Sequence, residues 1–199
     1  EALIFLPRKN GHLYELDHHD NGFYVLSNEN APNKKIVFYP SWPKQNVTPR
    51  EIVAHDPEKL IEQILLLKNH LIIQQRIHGL QQVEIRTLDK KSISLVNFPE
   101  ETYSAGLGSN DDYLASTIFI AYTSMSTPAT VFEYSLKTGE KEVFFQKKLT
   151  DKNFSPSHYE TKRVWATAND GTKIPVSLIY KKGIDPSRAP MLLYGYGSS

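Results

Sequence analysis

The chain has 199 residues, of which 40% are hydrophobic and 11% aromatic, enough for one large domain or for one domain and part of another. Its 23 basic and 22 acidic residues give a formal net charge of +1, so the overall charge does not point to a nucleic acid or an anionic membrane as a partner. The lack of cysteine excludes a disulfide scaffold, a thiolate metal site and a cysteine nucleophile, and it favours a reducing, cytoplasmic location.

Short apolar or alternating runs, separated by turn residues, begin at the first residues of the chain. They predict strands at residues 3–6, 13–16, 23–27, 36–39 and 51–55. The sequences Lys9-Asn10-Gly11 and Asp20-Asn21-Gly22 have the composition of tight turns between antiparallel strands. This part of the chain is therefore predicted to be an antiparallel β structure.

The segment 57–77 allows two interpretations. Ile61 and Ile64 have helical spacing, whereas residues 64–67 and 71–75 are compact apolar runs of strand length. Periodicity alone does not choose between a helix and two strands here, because a buried strand and a buried helix segment have the same apolar composition.

A weak internal repeat favours the strands. The pattern of residues 23–55 recurs at 71–96 and again at 118–145, with offsets of about 40 to 50 residues that are typical of β-propeller blades with four strands each. About three blades fit before residue 150, and a closed propeller needs more, so we predict a partial β-propeller. Residues 106–111 contain two glycines but lack the lysine and the helix of a phosphate loop, and they are interpreted as an inter-blade turn.

The pattern changes after residue 146. A polar, proline-containing stretch at 146–158 is typical of a linker, and two alternating strands are predicted at 163–168 and 173–180. The sequence therefore predicts two domains, a propeller domain at 1–155 and the start of another domain at 156–199.

The last residues form an apolar run, 191–194, which is predicted to be a strand and is followed by Gly195-Tyr196-Gly197. A strand that ends in a glycine-rich turn commonly places functional groups at its carboxyl end. Because the chain begins with Glu1 beside a predicted strand and ends just after this turn, we expect it to be a piece of a longer protein.

Several motifs resemble the prolyl oligopeptidase family of serine peptidases, and within it the oligopeptidase B branch. They are TSMSTP at 123–128, YETKRVWATA at 159–168, IPVSLIYKKG at 174–183 and PMLLYGYGS at 190–198. The resemblance covers nearly the whole chain and is most specific near the carboxyl terminus.

The resemblance implies a seven-bladed propeller that covers an α/β-hydrolase domain with a Ser-Asp-His triad. It implies cleavage of short peptides after Arg or Lys, with the propeller restricting access to the site. It also implies a reaction that needs no cofactor. The hydroxyl of Tyr196 matches the family's oxyanion-hole donor, a preorganised group that stabilises negative charge in the transition state. The triad of the family lies downstream of this motif, so the 199 residues are expected to be inactive by themselves.

Two different functions stay compatible with the sequence. One is a stand-alone propeller that binds proteins and carries an appended hairpin. The second lies within the family, as a prolyl oligopeptidase that cleaves after Pro or an aminopeptidase relative.

The remaining features predict no further site. Seven histidines are present, and the sequence His18-His19-Asp20 invites a metal-site interpretation, but neighbours in a strand point to opposite faces, so solvated or structural roles are favoured. We expect no metal, no membrane segment and no nucleic-acid partner. Open sheet edges in a partial propeller predict self-association.

Overall fold

The structure is a computed structural model that describes residues 3–43, 47–89, 92–151 and 153–195. Within these ranges the regular structure consists of β-strands and one 3₁₀ turn, Pro156–His158. The described part of the chain contains no helix with the length and apolar character of a transmembrane segment. The predicted all-β class is confirmed.

Three four-stranded antiparallel sheets follow one another along the chain, and in each sheet consecutive strands are neighbours. The first contains β1 (Tyr14–His19), β2 (Gly22–Ser27), β3 (Lys35–Tyr39) and β4 (Arg50–Val53). The second contains β5 (Lys59–Leu66), β6 (His70–Ile77), β7 (Leu80–Thr87) and β8 (Ile93–Leu95). The third contains β9 (Ser104–Leu107), β10 (Thr117–Thr123), β11 (Thr130–Ser135) and β12 (Lys141–Gln146). These sheets are the three predicted blades.

A separate two-stranded hairpin follows the blades. It consists of β13 (Tyr159–Thr167) and β14 (Lys173–Lys181), which pair in antiparallel register along their full length. Gly171 adopts a φ of 88° in the connecting turn, a left-handed conformation that glycine adopts without strain. The two predicted strands of this segment are confirmed.

The second blade is buried on both faces, which explains the ambiguity of residues 57–77. Leu71 and Ile73 of β6 belong to a core shared with the first blade, whereas Ile72 between them belongs to a core shared with the third. A strand buried on both faces reads as a continuous apolar run rather than an alternating one. Residues 59–66 form β5, so the helical interpretation is wrong.

The prediction of a strand at residues 3–6 is wrong. Phe5 lies against the outer face of the first blade, with its ring 5.1 Å from that of Phe23 and 5.4 Å from that of Tyr39. The amide of Leu6 donates a hydrogen bond to the side-chain hydroxyl of Tyr14, 3.3 Å away, and not to the backbone of a strand. The segment therefore covers a sheet face through side-chain packing.

The interpretation of residues 106–111 as a turn is also wrong in part, because Gly106 and Leu107 belong to β9. This edge strand is completed by side chains of the second blade. Gln81 Oε1 accepts a hydrogen bond from the amide of Ala105 at 3.2 Å, and Gln74 Oε1 accepts one from the amide of Leu107 at 2.9 Å. The neighbouring blade thus supplies hydrogen bonds that a fifth strand would otherwise provide.

One carboxylate orients both glutamines. Glu62 Oε2 accepts hydrogen bonds from the amides of Gln74 at 2.9 Å and Gln81 at 3.1 Å, and Glu62 Oε1 accepts one from Arg76 Nε at 2.7 Å. Burial acts to raise the pKa of Glu62, but these hydrogen bonds together hold it below its usual value. Glu62 is therefore an ionised link between the second and third blades.

The strand order also fixes which connections share an end of the blades. The connections from the second to the third strand of a blade, and from the fourth strand to the next blade, follow strands of the same direction. The β6–β7 turn and the loop 96–103 between β8 and β9 therefore lie at one end. We call this the hairpin end, because both segments contact β13 or β14.

The tight turn between β1 and β2 depends on Gly22, and replacing it by alanine tests this. Gly22 has a φ of 143°, and a Cβ there would lie 2.3 Å from the carbonyl oxygen of Tyr39. We expect Gly22→Ala to lower the free energy of unfolding by about 2 kcal/mol or more, measured by urea denaturation. Gly11→Ala is the matched control, because Gly11 also has a positive φ, 74°, but no atom within 4 Å of the added carbon. Equal losses in the two variants would contradict the steric explanation.

Candidate functional site

A partly buried carboxylate organises the loop 96–103 at the hairpin end. Glu100 accepts hydrogen bonds from Tyr122 Oη at 2.6 Å, Ser124 Oγ at 2.7 Å and Thr127 Oγ1 at 2.9 Å, and also from Ser126 Oγ. We call these four donors the hydroxyl cage. Because both carboxylate oxygens are engaged, the loop has a fixed position relative to the third blade.

The cage forms because of local sequence at the β10–β11 turn. Ser124 Oγ accepts hydrogen bonds from the amides of Ser126 at 3.1 Å and Thr127 at 2.8 Å, a pattern in which a serine side chain shapes its own turn. The Tyr122 ring stacks on Phe98 with centroids 5.0 Å apart, which directs its hydroxyl towards Glu100. The motif TSMSTP is thus a turn that presents hydroxyl groups to one carboxylate.

The protonation states in the cage oppose a role in proton transfer. Burial acts to raise the pKa of Glu100, but the hydroxyl hydrogen bonds together hold it below its usual value. Burial and the hydrogen bond to Glu100 raise the pKa of Tyr122 far above its usual range. Near neutral pH the carboxylate stays ionised and the phenol stays protonated, so the cage holds structure and does not exchange protons.

The two residues after Glu100 contact the hairpin. Glu101 Oε2 accepts a hydrogen bond from the amide of Arg163 in β13 at 3.1 Å. Thr102, which is buried, has its Oγ1 atom 2.6 Å from Ser177 Oγ in β14. The loop therefore joins both strands of the hairpin to the third blade.

The β6–β7 turn of the second blade adds another contact. The Arg163 guanidinium donates a hydrogen bond to the carbonyl of His78 and lies 5.5 Å from the centre of the Trp165 ring. The Trp165 ring meets the His78 imidazole nearly at right angles, with centroids 6.0 Å apart. Two blades thus hold the same hairpin strand, and we call this set of contacts the junction.

A cleft of about 450 Å³ lies beside the junction, between the third blade and the hairpin. Ser126 and Thr127 line it from the β10–β11 turn, and Tyr159 and Thr161 line it from β13. Two of the sequence motifs that carry the family resemblance, at 123–128 and 159–168, therefore meet at one surface. This arrangement positions the hairpin on the propeller, and sequence reasoning did not predict the contact.

Tyr196, the predicted oxyanion-hole donor, lies outside the described residues, so its role stays a prediction. The predicted strand at 191–194 is wrong for this chain, because these residues form no strand and their side chains are exposed, Leu192 at 92% and Tyr194 at 85%. A lone apolar segment becomes a strand only beside a partner, and within the described residues β14 pairs only with β13.

The histidines of the metal-site interpretation have separate environments. His19 is buried, with Nε2 2.8 Å from the carbonyl oxygen of Lys68 and Nδ1 2.8 Å from Asn21 Oδ1, so it links the first blade to the second. His18 is exposed. No group of three or more His, Asp or Glu side chains arranged for a metal ion occurs in the described ranges.

One serine–histidine contact was not foreseen from the sequence. His12 Nε2 lies 2.8 Å from Ser27 Oγ, but Ser27 is only 3% exposed and its Oγ also accepts a hydrogen bond from the amide of Glu29. The Glu29 carboxylate is bound by Lys9 at 2.9 Å. No carboxylate hydrogen-bonds to His12 in the part of the chain that the structure describes, so this pair lacks the third member of a catalytic triad.

Comparisons with known proteins give a consistent result. Residues 2–147 match the sequence model of a family described as prolyl oligopeptidase, N-terminal beta-propeller domain. The chain is 34% identical over 198 residues to dipeptidyl aminopeptidase BI of Pseudoxanthomonas mexicana, covering 98% of this chain and 27% of that protein. It is 28% identical over 193 residues to Protease 2 of Moraxella lacunata, covering 96% of this chain and 27% of that protein.

Solved structures show the same similarity. Oligopeptidase B from Trypanosoma brucei, in a closed form with covalently bound antipain, matches with a TM-score of 0.79 and 28% identity, over 98% of this chain and 29% of that chain. Oligopeptidase B from Leishmania major matches with a TM-score of 0.79 and 26% identity, over 92% of this chain and 27% of that chain. The chain spans about a quarter of the length of the curated relatives it matches.

The pH dependence of stability tests the hydroxyl cage. The pKa of Glu100 is lowered on folding from an ordinary value of 4.5, so its stabilising contribution is present above that pH and is lost as pH falls through the folded pKa. We expect Glu100→Gln to lower the free energy of unfolding at pH 7, and the difference from the unmodified chain to shrink as pH falls from 5 to 3 (about the span over which such a carboxyl group titrates).

The measurement is urea denaturation at a series of pH values. Glu140→Gln, in the β11–β12 turn, is the control. Its free energy of unfolding is expected to differ little from that of the unmodified chain, because Glu100 and its hydroxyl partners stay in place. A difference between Glu100→Gln and the unmodified chain that stays constant with pH would contradict an ionised carboxylate in the cage.

Proposed function

The chain belongs to the prolyl oligopeptidase family, and from this membership we propose that the full-length protein is a serine oligopeptidase that hydrolyses short peptides after Arg or Lys. The members of the family named above are peptidases, and oligopeptidase B is among the similar structures. The observation that carries the proposal is the meeting of the 123–128 and 159–168 motifs at the cleft beside the junction, since these motifs favour the oligopeptidase B branch.

We propose that residues 1–155 belong to the propeller domain and residues 156–199 begin the α/β-hydrolase domain. The third blade is complete at Gln146, and the hairpin pairs within itself as a separate sheet. The 3₁₀ turn Pro156–His158 directly precedes β13. This arrangement supports a domain boundary in the polar stretch between the blade and the hairpin.

We further propose that the propeller restricts access to the peptidase site, so that only short peptides reach it. The hairpin lies on one end of the blades, which supports a hydrolase domain covering that end. In the full-length protein Tyr196 would donate a hydrogen bond to the oxyanion. Gly195 and Gly197, which flank it in sequence, favour a tight backbone turn at that position.

By itself, the 199-residue chain is proposed to be inactive and cytoplasmic. The described residues contain one Ser–His contact, which lacks a carboxylate partner and involves a buried serine, and this supports a triad located elsewhere in the full-length protein. The cytoplasmic location is favoured by the cysteine-free composition.

An aminopeptidase activity is the second candidate, because the 34% identity to dipeptidyl aminopeptidase BI exceeds the 28% identity to Protease 2. Two weaker candidates are a prolyl oligopeptidase that cleaves after Pro and a stand-alone propeller that binds proteins. The candidates differ in the bond that the full-length protein would cleave, or in the lack of cleavage.

Peptide hydrolysis by the full-length protein tests the proposed activity. We expect cleavage of blocked reporter peptides after Arg and Lys, little cleavage after Pro, and no cleavage by the 199-residue chain. Tyr196→Phe in the full-length protein is expected to lower kcat by about 10²–10³ with little change in KM, because it removes one oxyanion donor.

Tyr194→Phe is the matched control, and it is expected to retain activity. Cleavage only after Pro would indicate a prolyl oligopeptidase, and cleavage only of peptides with a free amino terminus would indicate an aminopeptidase. Hydrolysis by the 199-residue chain would contradict the proposal that its triad lies elsewhere.

We also propose that this chain self-associates through the exposed edge strand β12. Val143, Phe144 and Phe145 are 57% to 65% exposed, and β12 is the outer strand of its sheet. Such an edge pairs readily with another strand.

Light scattering tests the self-association and should show a molar mass that rises with protein concentration. Val143→Lys should reduce this rise, whereas Glu140→Lys in the adjacent turn should not. A concentration-independent monomer would contradict the proposal.

A further inference from the structure

A second surface lies at the opposite end of the blades from the junction. A groove of about 460 Å³ separates the first blade from the second. Tyr24 and Leu71 are near the first residues of β2 and β6, and Arg86 is near the last residue of β7, so the groove opens at the end away from the hairpin. Nothing in the proposed peptidase activity uses this groove.

The floor of the groove is apolar. Tyr24 and Leu71 are buried, at 3% and 0% exposure, and Ile52 and Leu88 complete the apolar lining. Small-molecule sites commonly have volumes of about 300–1,000 Å³, a largely apolar lining and a few polar groups. The groove has the size and the lining of such a site.

Arg86 forms one side of the groove and is held in place. Its Nε atom donates to Glu84 Oε1 at 2.5 Å, and its Nη1 atom donates to the carbonyl of Ile52 at 3.4 Å. Ile52 lies at the irregularity in the β3–β4 pairing, so this carbonyl is outside the ladder. A guanidinium has five N–H groups, so donors of Arg86 remain after these two bonds.

Arg50 contributes a second guanidinium, which lies 5.4 Å from the centre of the Phe38 ring. It makes no ion pair or side-chain hydrogen bond within the described residues. An exposed cation held over an aromatic ring beside an apolar floor is complementary to an anion that carries an apolar group.

From this combination we propose that the groove binds a carboxylate attached to a compact apolar group. The carboxylate would accept hydrogen bonds from Arg50 and from the remaining N–H groups of Arg86, while the apolar group rests on Ile52 and Leu88, above the buried Leu71. A peptide that ends in an aliphatic residue and a free aliphatic acid both have this chemistry. Glu51 also lines the groove and would oppose the anion.

Methyl and amide NMR titrations of the 199-residue chain test the site. The probes are N-acetyl-leucine, its neutral amide N-acetyl-leucinamide, and hexanoate. We expect the carboxylate probes to shift the methyl resonances of Leu71 and Leu88, and the amide to bind at least about tenfold more weakly, the effect of one charge-assisted hydrogen bond.

Variants separate the contribution of the charge from that of the apolar floor. Arg50→Gln should weaken binding of N-acetyl-leucine about tenfold, whereas Glu51→Gln should strengthen it. Arg188→Gln is the control: this arginine is exposed and does not line the groove, so binding should be unchanged. Tighter binding of N-acetyl-leucine than of hexanoate would indicate a peptide carboxyl terminus, and the reverse order a free aliphatic acid.

Three results would overturn the proposal. The first is equal binding of N-acetyl-leucine and its amide by the unmodified chain. The second is undiminished binding of N-acetyl-leucine by Arg50→Gln. The third is unshifted Leu71 and Leu88 resonances with both acids added up to their solubility limits. The first and third need no variant, so the test does not depend on how well a substituted chain folds.

Discussion

The hydroxyl cage around Glu100 determines how the propeller meets the hairpin. A partly buried carboxylate is costly unless its oxygens are hydrogen-bonded, and here four hydroxyl groups of the third blade serve that purpose. With Glu100 fixed, Glu101 and Thr102 are directed at β13 and β14. The position of the hairpin therefore depends on a turn sequence, TSMSTP, that lies in a different blade from the second contact at His78.

Polar groups also specify how neighbouring blades fit together. Apolar packing between sheets is not directional, whereas Glu62 and its two glutamines satisfy particular amides of β9, and Arg86 satisfies the carbonyl of Ile52. These bonds fix the register between blades that share an apolar core. At the groove between the first and second blades, the guanidinium of Arg50 makes no such bond within the described residues.

The sequence repeat was sufficient to predict the blades, because alternation and turn residues are local properties. It did not reveal β9, since Gly106 has a low strand propensity and the strand is completed by Gln74 and Gln81 from another blade. The run at 191–194 was misassigned for a related reason, because its apolar residues need a partner sheet. The cage could not be predicted, since nothing in the TSMSTP pattern identifies its acceptor as Glu100. The position of Tyr196, and hence its proposed role, stays a prediction.

The central claim is that loop 96–103 fixes the hairpin on the propeller, and a double-mutant cycle between Thr102 and Ser177 tests it most directly. Urea denaturation and hydrogen exchange of the hairpin amides would be measured for Thr102→Val, Ser177→Ala and the double variant. Direct contact at 2.6 Å predicts a coupling energy of about 0.5 kcal/mol or more and faster hairpin exchange in each single variant. Additive effects, within about 0.3 kcal/mol, with unchanged hairpin exchange would contradict the account.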